Sequence, residues 1–209
     1  MSIIKGSNTL PVAIMAAGSA RRFGSDKRFY PLQNGQSILQ TTLSNMARVH
    51  PENSLHLVVS HSDALPIFTD VLPAESSLIV SSHSHEGLGG SLKDLMCYLL
   101  DKDQYSEVTA IGVYLADMPA ISPDTMAMLR GRASTNKIVR PVYGNTLGHP
   151  VWIGREFWPL FYDLTGDNGG REILKKLTLQ TECIEVEDAG VVMDFDTPKS
   201  VIRWQEHFR

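Results

Sequence analysis

The stretch from Val12 to Lys27, VAIMAAGSARRFGSDK, constrains this chain more than any other. An apolar run, Val12-Ala13-Ile14-Met15, stops at Ala16-Ala17-Gly18. The residues that follow carry Arg21, Arg22, Gly24 and Lys27 and almost no bulky aliphatic side chain. A short run that is apolar at every position reads as a strand buried on both faces, as in a parallel sheet covered by helices. Such a strand running into a glycine-containing basic loop suits a polyanionic ligand. Glycines let backbone N–H groups approach phosphate oxygens, and Arg and Lys neutralise charge. The same residues also suit an ordinary strand-to-helix turn with solvated basic side chains, and the local pattern leaves both readings open.

The rest of the chain supplies the architecture. Ser37 is expected to N-cap a helix reaching about Val49, with Ile38, Leu39, Leu43 and Met46 at helical spacing. Strands are expected at Leu55 to Ser60, Ser77 to Ser81 and Ala110 to Leu115, and helices near Ile67 to Leu72 and from Gly87 to about Leu100. Pro123 opens a helix to about Arg130, a favourable place for proline. Strands alternating with helices predict an α/β fold with a doubly wound, mostly parallel sheet. After Asn136 the pattern loosens. Strands are expected at Lys137 to Tyr143 and His149 to Ile153 around a Gly-Asn turn, and later at Cys183 to Val186 and Val191 to Phe195. Helices are expected at Arg155 to Leu160, Gly170 to Leu177 and Pro198 to Phe208. The 209 residues read as one domain, the second half packing on the first as a lid or substrate-binding part.

Composition narrows the function. The formal net charge of -4 argues against a general nucleic-acid binder, so a basic loop here is informative. Cys97 and Cys183 form neither a metal-ligand spacing nor a disulfide framework, which suits a reducing cytoplasm. The N-terminus lacks the long apolar core of a signal peptide, and no apolar run nears the roughly 20 residues that span a bilayer. A cytoplasmic protein is the expectation. The chain has no P-loop, no Gly-x-Gly-x-x-Gly after the first strand and no Gly-x-Ser-x-Gly elbow.

In open parallel sheets, function gathers beyond the carboxyl ends of strands. Ala16 to Lys27, Gly87 to Ser91 and Asp117 all fall at such places. Asp117, ending an apolar strand at Met118-Pro119, is the leading candidate to hold Mg²⁺ beside a phosphate; it also reads as a turn aspartate. Asp194 and Asp196 follow the apolar pair Val191-Val192, and Asp196 or Thr197 also reads as the cap of the last helix. His149 sits in Gly148-His149-Pro150. His83 and His85 resemble a metal pair with nothing nearby to complete it. Asp167-Asn168-Gly169-Gly170-Arg171 reads as a plain cap or a second anion site, with Arg171 available for an acceptor phosphate.

Six segments, in order, carry a resemblance. Ala16-Ala17-Gly18, then Arg22-Phe23-Gly24, then Lys27, resembles the signature loop Leu-Ala-Ala-Gly-x-Ser-x-Arg-Met-Gly-x-x-Lys of the MobA-like nucleotidyltransferases, the enzymes that build molybdenum cofactor dinucleotides. Here Met15, Ala20 and Phe23 replace the leading Leu, the Ser and the Met. Gly87-Leu88-Gly89-Gly90-Ser91-Leu92 is similar to the family's Gly-Met-Gly-x-Ser-Leu. Leu115-Ala116-Asp117-Met118-Pro119 is similar to its Leu-Gly-Asp-Met-Pro. Gly148-His149-Pro150, Gly166 to Arg171 and Asp194-Phe195-Asp196-Thr197-Pro198 resemble its Gly-His-Pro, Gly-Asp-x-Gly-Ala-Arg and Asp-Ile-Asp-Thr-Pro.

The Ala-Ala-Gly form and the Gly-His-Pro segment look more like the cytidylyltransferase branch than the guanylyltransferase branch. The resemblance implies a Mg²⁺-dependent enzyme that transfers CMP from CTP to the terminal phosphate of the molybdenum cofactor, releasing pyrophosphate. It implies catalysis by Arg22, Lys27 and Asp117, and nucleotide binding at Ala16, Ala17, Gly18, Gly24, Gly89 and Ser91. It implies acceptor binding at His149, Asp167 and Arg171, and metal binding at Asp117 with Asp194 or Asp196. Residues from about 10 to 135 then form a nucleotide-binding half, and 136 to 209 an acceptor-binding half. A molybdoenzyme or its chaperone is the implied partner, with no nucleic acid and no membrane. A different phosphorylated acceptor, GTP in place of CTP, or a non-catalytic cofactor-handling chaperone are the competing expectations.

Overall fold

The computed structural model describes residues 9–18, 23, 26–164 and 169–207. Its spine is one eight-stranded sheet. The first four strands are β1 (Val12–Met15), β2 (Leu55–Ser60), β3 (Ser77–Ser81) and β4 (Ala110–Leu115). They pair parallel in the order β3-β2-β1-β4. Beyond β4 come β7 (Val151–Gly154), β5 (Ile138–Tyr143) and the short β6 (Thr146–Leu147), with β8 (Thr181–Glu185) also on β5. β7 runs antiparallel to both β4 and β5, and β6 antiparallel to β5; β8 pairs parallel with β5. The second half thus extends the same sheet.

Both faces are covered, which is why the inner strands read as unbroken apolar runs. All of Val12 to Met15 is buried. Successive side chains point to opposite faces. Val12 and Ile14 enter one core with α1 (Ile38–Ala47), α2 (Leu65–Thr69) and α4 (Pro123–Arg130), through Leu39, Leu43, Phe68 and Met126. Ala13 and Met15 enter the other with α3 (Leu88–Leu100), through Leu92, Leu95, Met96 and Leu99. There they meet Phe157, Trp158 and Phe161 of a 3-10 turn spanning Arg155–Phe161. α5 (Gly169–Lys176) lies on that side, and α6 (Pro198–His207) closes the chain. Among the described residues no helix is long and apolar enough to cross a membrane.

Ser37 caps α1 as expected. Its hydroxyl accepts from Gln40 N–H while the Gln40 side chain accepts from Ser37 N–H, a reciprocal capping box. One expectation fails. Val191 to Phe195 is not a strand: Ala189–Val192 is a 3-10 turn, and extended backbone follows it. The Asp188 carboxylate accepts from Gly190 N–H and starts the turn, and the Val191 carbonyl accepts from His149 N–H instead of joining a ladder.

Candidate functional site

A cleft of about 1150 Å³ opens at the carboxyl ends of β1 to β4. A second hollow of about 710 Å³ lies at the opposite end of the sheet, beside Leu10 and Thr109. Its Arg130 guanidinium is already donating to the Val49 carbonyl at 3.0 Å. The larger cleft gathers Ala16 to Gly18, Lys27, Gly87, Ser91, Asp117 and Asp196 from the segments that the sequence singled out, and its described lining includes neither His149 nor Arg171.

Its floor is Met15 and Ala16 beside Leu115 and Ala116. Ala16 N–H donates to the Val58 carbonyl (2.8 Å) and Ala116 N–H to the Met15 carbonyl (3.2 Å), so both loops leave the sheet in register. Ala17 is half-buried and Gly18 exposed, with nothing within 4 Å of a side chain placed at Gly18. The backbone here faces open cleft.

The charged corner is built by Lys27. Its ammonium donates to Asp117 Oδ2 at 2.6 Å and to Asp196 Oδ1 at 2.8 Å, bridging residues 90 and 169 positions away. Burial disfavours the lysine's charge, but the field and hydrogen bond of Asp117, then those of Asp196, outweigh it and raise its pKa above the ordinary value. The aspartates are brought together by backbone and core contacts. Phe195 N–H donates to the Asp117 carbonyl at 3.2 Å. The Phe195 ring is fully buried with Phe23, Leu32, Ile38 and Val201. From α1, Thr42 Oγ1 donates to the Ala116 carbonyl (3.0 Å) and Asn45 Nδ2 to the Pro119 carbonyl (2.8 Å). These two bonds hold the Asp117 turn from behind. Asp194 stays apart from the Lys27 pair; burial, then the charges of Asp196 and Asp117, raise its carboxyl pKa. Among the described residues, no cluster of three or more His, Cys, Asp or Glu forms a metal cage.

The next wall is held by Arg28, which the sequence reading missed. Its guanidinium donates to the Ala16 carbonyl at 2.6 Å and bidentately to Asp63 at 2.8 and 2.9 Å. It also donates to Asp26 at 2.6 and 2.8 Å and lies 4.8 Å from the Phe68 ring centroid. Asp63 in turn accepts from Ser60 N–H. The signature loop is thereby tied to the turn after β2, which carries His61 and Ser62 along the cleft.

The far wall comes from β3 and α3. Asp94 accepts from Ser81 Oγ (2.7 Å), His83 N–H (2.9 Å) and His83 Nδ1 (2.7 Å). Burial works against its charge, but these bonds prevail and lower its pKa. His83 is therefore engaged by a carboxylate and is not half of a histidine pair. A side chain at Gly90 would collide with the His83 carbonyl, so this glycine lets α3 begin against the turn. Ser91 is buried and lines the cleft; Gly89 is buried in the first turn of α3.

Arg21, Arg22, Gly24 and Asp167 lie outside the described residues. Arg171 is exposed on α5. His149 is half-buried, and its Nδ1 is buried without a hydrogen-bond partner. Burial, then the nearby Arg140, push its pKa down to about 4, so the imidazole is neutral near pH 7. Gly148 has no room for a side chain, which would strike the Val191 carbonyl.

Comparisons with known proteins identify the family and the fold. Residues 12–182 match the model of the MobA-like NTP transferase domain. A search of curated proteins found no match. Among solved structures, Rv0371c from Mycobacterium tuberculosis H37Rv superposes with a TM-score of 0.79 at 21% identity, covering 95% of this chain and 98% of that one. The complex of Rv0371C with manganese gives 0.73 at 20%, covering 95% and 99%. Molybdopterin-guanine dinucleotide biosynthesis protein A from Archaeoglobus fulgidus gives 0.65 at 15%, covering 94% and 97%. At these identities the likenesses establish the fold, a mixed α/β unit of the nucleotide-diphospho-sugar transferase type. With the family match spanning most of its length, the chain belongs to the MobA-like NTP transferases and is a nucleotidyltransferase of that family.

Proposed function

We propose that the protein transfers CMP from CTP to the terminal phosphate of the molybdenum cofactor and releases pyrophosphate. The observation that carries this reading is the meeting of Lys27, Asp117 and Asp196 beside the open Ala16-Ala17-Gly18 backbone. An oxygen of the acceptor phosphate attacks the α-phosphorus of the nucleotide. A new P–O bond forms, the bond to the β-phosphate oxygen breaks, and the electron pair leaves with pyrophosphate. No protein nucleophile is needed, so positioning and charge stabilisation carry catalysis.

Lys27, with Arg22 and the backbone from Gly18 to Gly24, holds the triphosphate. Ala17 and the Gly89 to Ser91 region lie against the base. We assign His149, Asp167 and Arg171 to the pterin-bearing acceptor, with the His149 imidazole neutral near pH 7. The residues fit a divalent ion. Asp117 and Asp196 offer hard carboxylate oxygens already gathered on one cation, the donor type that Mg²⁺ takes together with substrate phosphates. Asp117 and Asp196 would hold Mg²⁺, with Asp194 nearby, and the ion supplies neutralisation of developing phosphate charge. Residues from about 10 to 135 serve the nucleotide and those from 136 the acceptor. The setting is the cytoplasm, with a molybdoenzyme or its chaperone as recipient.

The test is pyrophosphate release, crossing CTP, GTP, ATP and UTP with molybdenum cofactor and other phosphorylated acceptors, with and without Mg²⁺. Mg²⁺-dependent release with CTP and molybdenum cofactor is expected. A preference for GTP overturns the base assignment. Release only with another acceptor overturns the acceptor, and cofactor binding without release makes the protein a carrier.

A further inference from the structure

Lys27 occupies the gap between the two carboxylates assigned to the metal. Its ammonium lies 2.6 Å from Asp117 Oδ2 and 2.8 Å from Asp196 Oδ1. We infer that Lys27 has a second role: it blocks the divalent-cation position until a nucleotide draws it away, so metal binding depends on the nucleotide's phosphates. This rests on the reading of the cleft as a triphosphate site with a divalent cation.

The argument is one of space and charge. Mg²⁺ sits about 2.0–2.1 Å from its oxygen ligands. An ion shared by these same oxygens meets the ammonium almost in contact, positive against positive. Lys27 and Asp117 are largely enclosed, their side chains 17% and 15% exposed, while Asp196 on the outer side is 47% exposed, so the lysine is hemmed in on the Asp117 side. It leaves only by swinging its flexible four-carbon stem to another anion. The cleft supplies the place for one, because Lys27 lines it together with Ala16, Ala17 and Gly18. Phosphate oxygens there would draw the ammonium away from both carboxylates in one movement.

The metal gains from the same event. Two carboxylates leave most positions of an octahedral ion to water or phosphate. Among the described residues no third acidic or imidazole ligand completes a cage. The phosphates therefore remove the competitor and complete the coordination shell. Nucleotide and metal must then strengthen each other's binding reciprocally. An arrangement in which the lysine stayed clear of the metal carboxylates would allow the ion to bind first.

The test uses the full chain, Mn²⁺ as a paramagnetic probe, and a CTP analogue with a methylene bridge between the α- and β-phosphates, which blocks turnover. Asp117→Asn gives the baseline for Mn²⁺ carried by the analogue alone. In the wild-type protein the analogue should raise Mn²⁺ affinity by about tenfold or more. Lys27→Met keeps the bulk of the stem and removes the charge. It should bind Mn²⁺ without nucleotide about tenfold more tightly than wild type, with little further gain from the analogue. Lys27→Ala should behave alike, and either variant suffices if the other does not fold. If the wild type binds Mn²⁺ with the analogue but neither variant gains affinity for Mn²⁺ alone, the inference fails while the functional reading stands. If no form binds Mn²⁺ above the baseline, the metal assignment of Asp117 and Asp196 fails with it.

Discussion

Arg28 and Lys27 are adjacent basic residues with opposite relations to the cleft. Lys27 reaches across it to Asp117 and Asp196, whereas Arg28 turns its charge into the wall. The Arg28 and Asp63 side chains are 12% and 13% exposed, and their bidentate geometry makes this a buried, charge-assisted pair. Asp26 is 38% exposed, so its share of the arrangement is weakened by solvent. Removing the guanidinium leaves Asp63 uncompensated and the Ala16 carbonyl without its donor. Arg28→Met should therefore destabilise the protein by about 3 kcal/mol, as loss of one partner of a buried pair does. Adding Asp63→Asn should restore part of the loss, because the stranded charge goes with it. Urea unfolding of both variants decides this; a loss below about 1 kcal/mol for Arg28→Met means the clamp does not hold the loop. Nothing in the sequence marks Arg28, since an arginine beside a lysine in a polar loop reads as solvated and its partner is 35 residues away.

Elements defined by burial on both faces are legible in the sequence, and elements defined by distant contacts are not. β1, β2 and β4 lie where their apolar runs predict, because a strand covered on both sides needs apolar residues throughout, and the edge strand β3 lies at its predicted place with Val80 exposed. Ser37 and Pro123 mark helix starts through local chemistry alone. The segment from Asp188 to Asp196 fails this test. Val191-Val192 looks like a strand, yet Gly190 is pressed against the Ala120 carbonyl and Val191 accepts from His149, contacts no local pattern encodes. The same holds for the site: Lys27 and Asp117 stand out as residues, but their meeting depends on how Phe195 docks. That ring joins Phe23 of the signature loop in a small separate core and lies 5.1 Å from the Trp204 ring of α6. Phe195→Ala should cost about 3–5 kcal/mol, as loss of a buried aromatic side chain does. It should also weaken nucleotide-dependent Mn²⁺ binding, because Asp196 loses its anchor one residue away. Thermal unfolding and Mn²⁺ titration measure the two effects. Full stability, or intact Mn²⁺ binding in a destabilised but folded variant, would show that Asp196 is positioned by something else.

At the scale of the whole molecule, buried histidines tie stability to pH. His50 and His56 are each 1% exposed in the body of the fold, and His149 is half-buried near the cleft. Burial lowers their pKa values to about 3, about 4 and about 4, helped at His50 by Arg130 and at His149 by Arg140. His50 Nε2 pairs with the Tyr114 hydroxyl at 3.0 Å, but its Nδ1 and that of His56 are buried without partners. The unfolded chain protonates these rings near their ordinary value of about 6.5, while the folded protein resists until far lower pH. Between about pH 6.5 and 4 the unfolded state thus binds more protons, and stability falls as pH falls. Each ring contributes a slope of up to about 1.4 kcal/mol per pH unit in that window. Lys27 acts at the other end: its raised pKa adds stability that is complete below its ordinary 10.5 and is lost as pH rises through the folded value. The lowered Asp94 carboxyl acts below its ordinary 3.8, outside the histidine window. The raised Asp194 carboxyl acts from 3.8 upward with the opposite sign to the histidines. Above about pH 9 the raised Cys97 thiol, then the buried Tyr105 and Tyr114 phenols, hold protons that the unfolded chain releases, so stability should be greatest from about pH 7 to 9 and drop steeply from pH 6.5 toward 5. Urea unfolding at pH 7, 6 and 5 reads the slope directly. His56→Phe, which leaves an aromatic ring beside Tyr98 and Tyr105, should reduce that slope by about one proton's worth. Equal slopes in the variant and the wild type would remove His56 from the set and leave the acid sensitivity to His50 and His149.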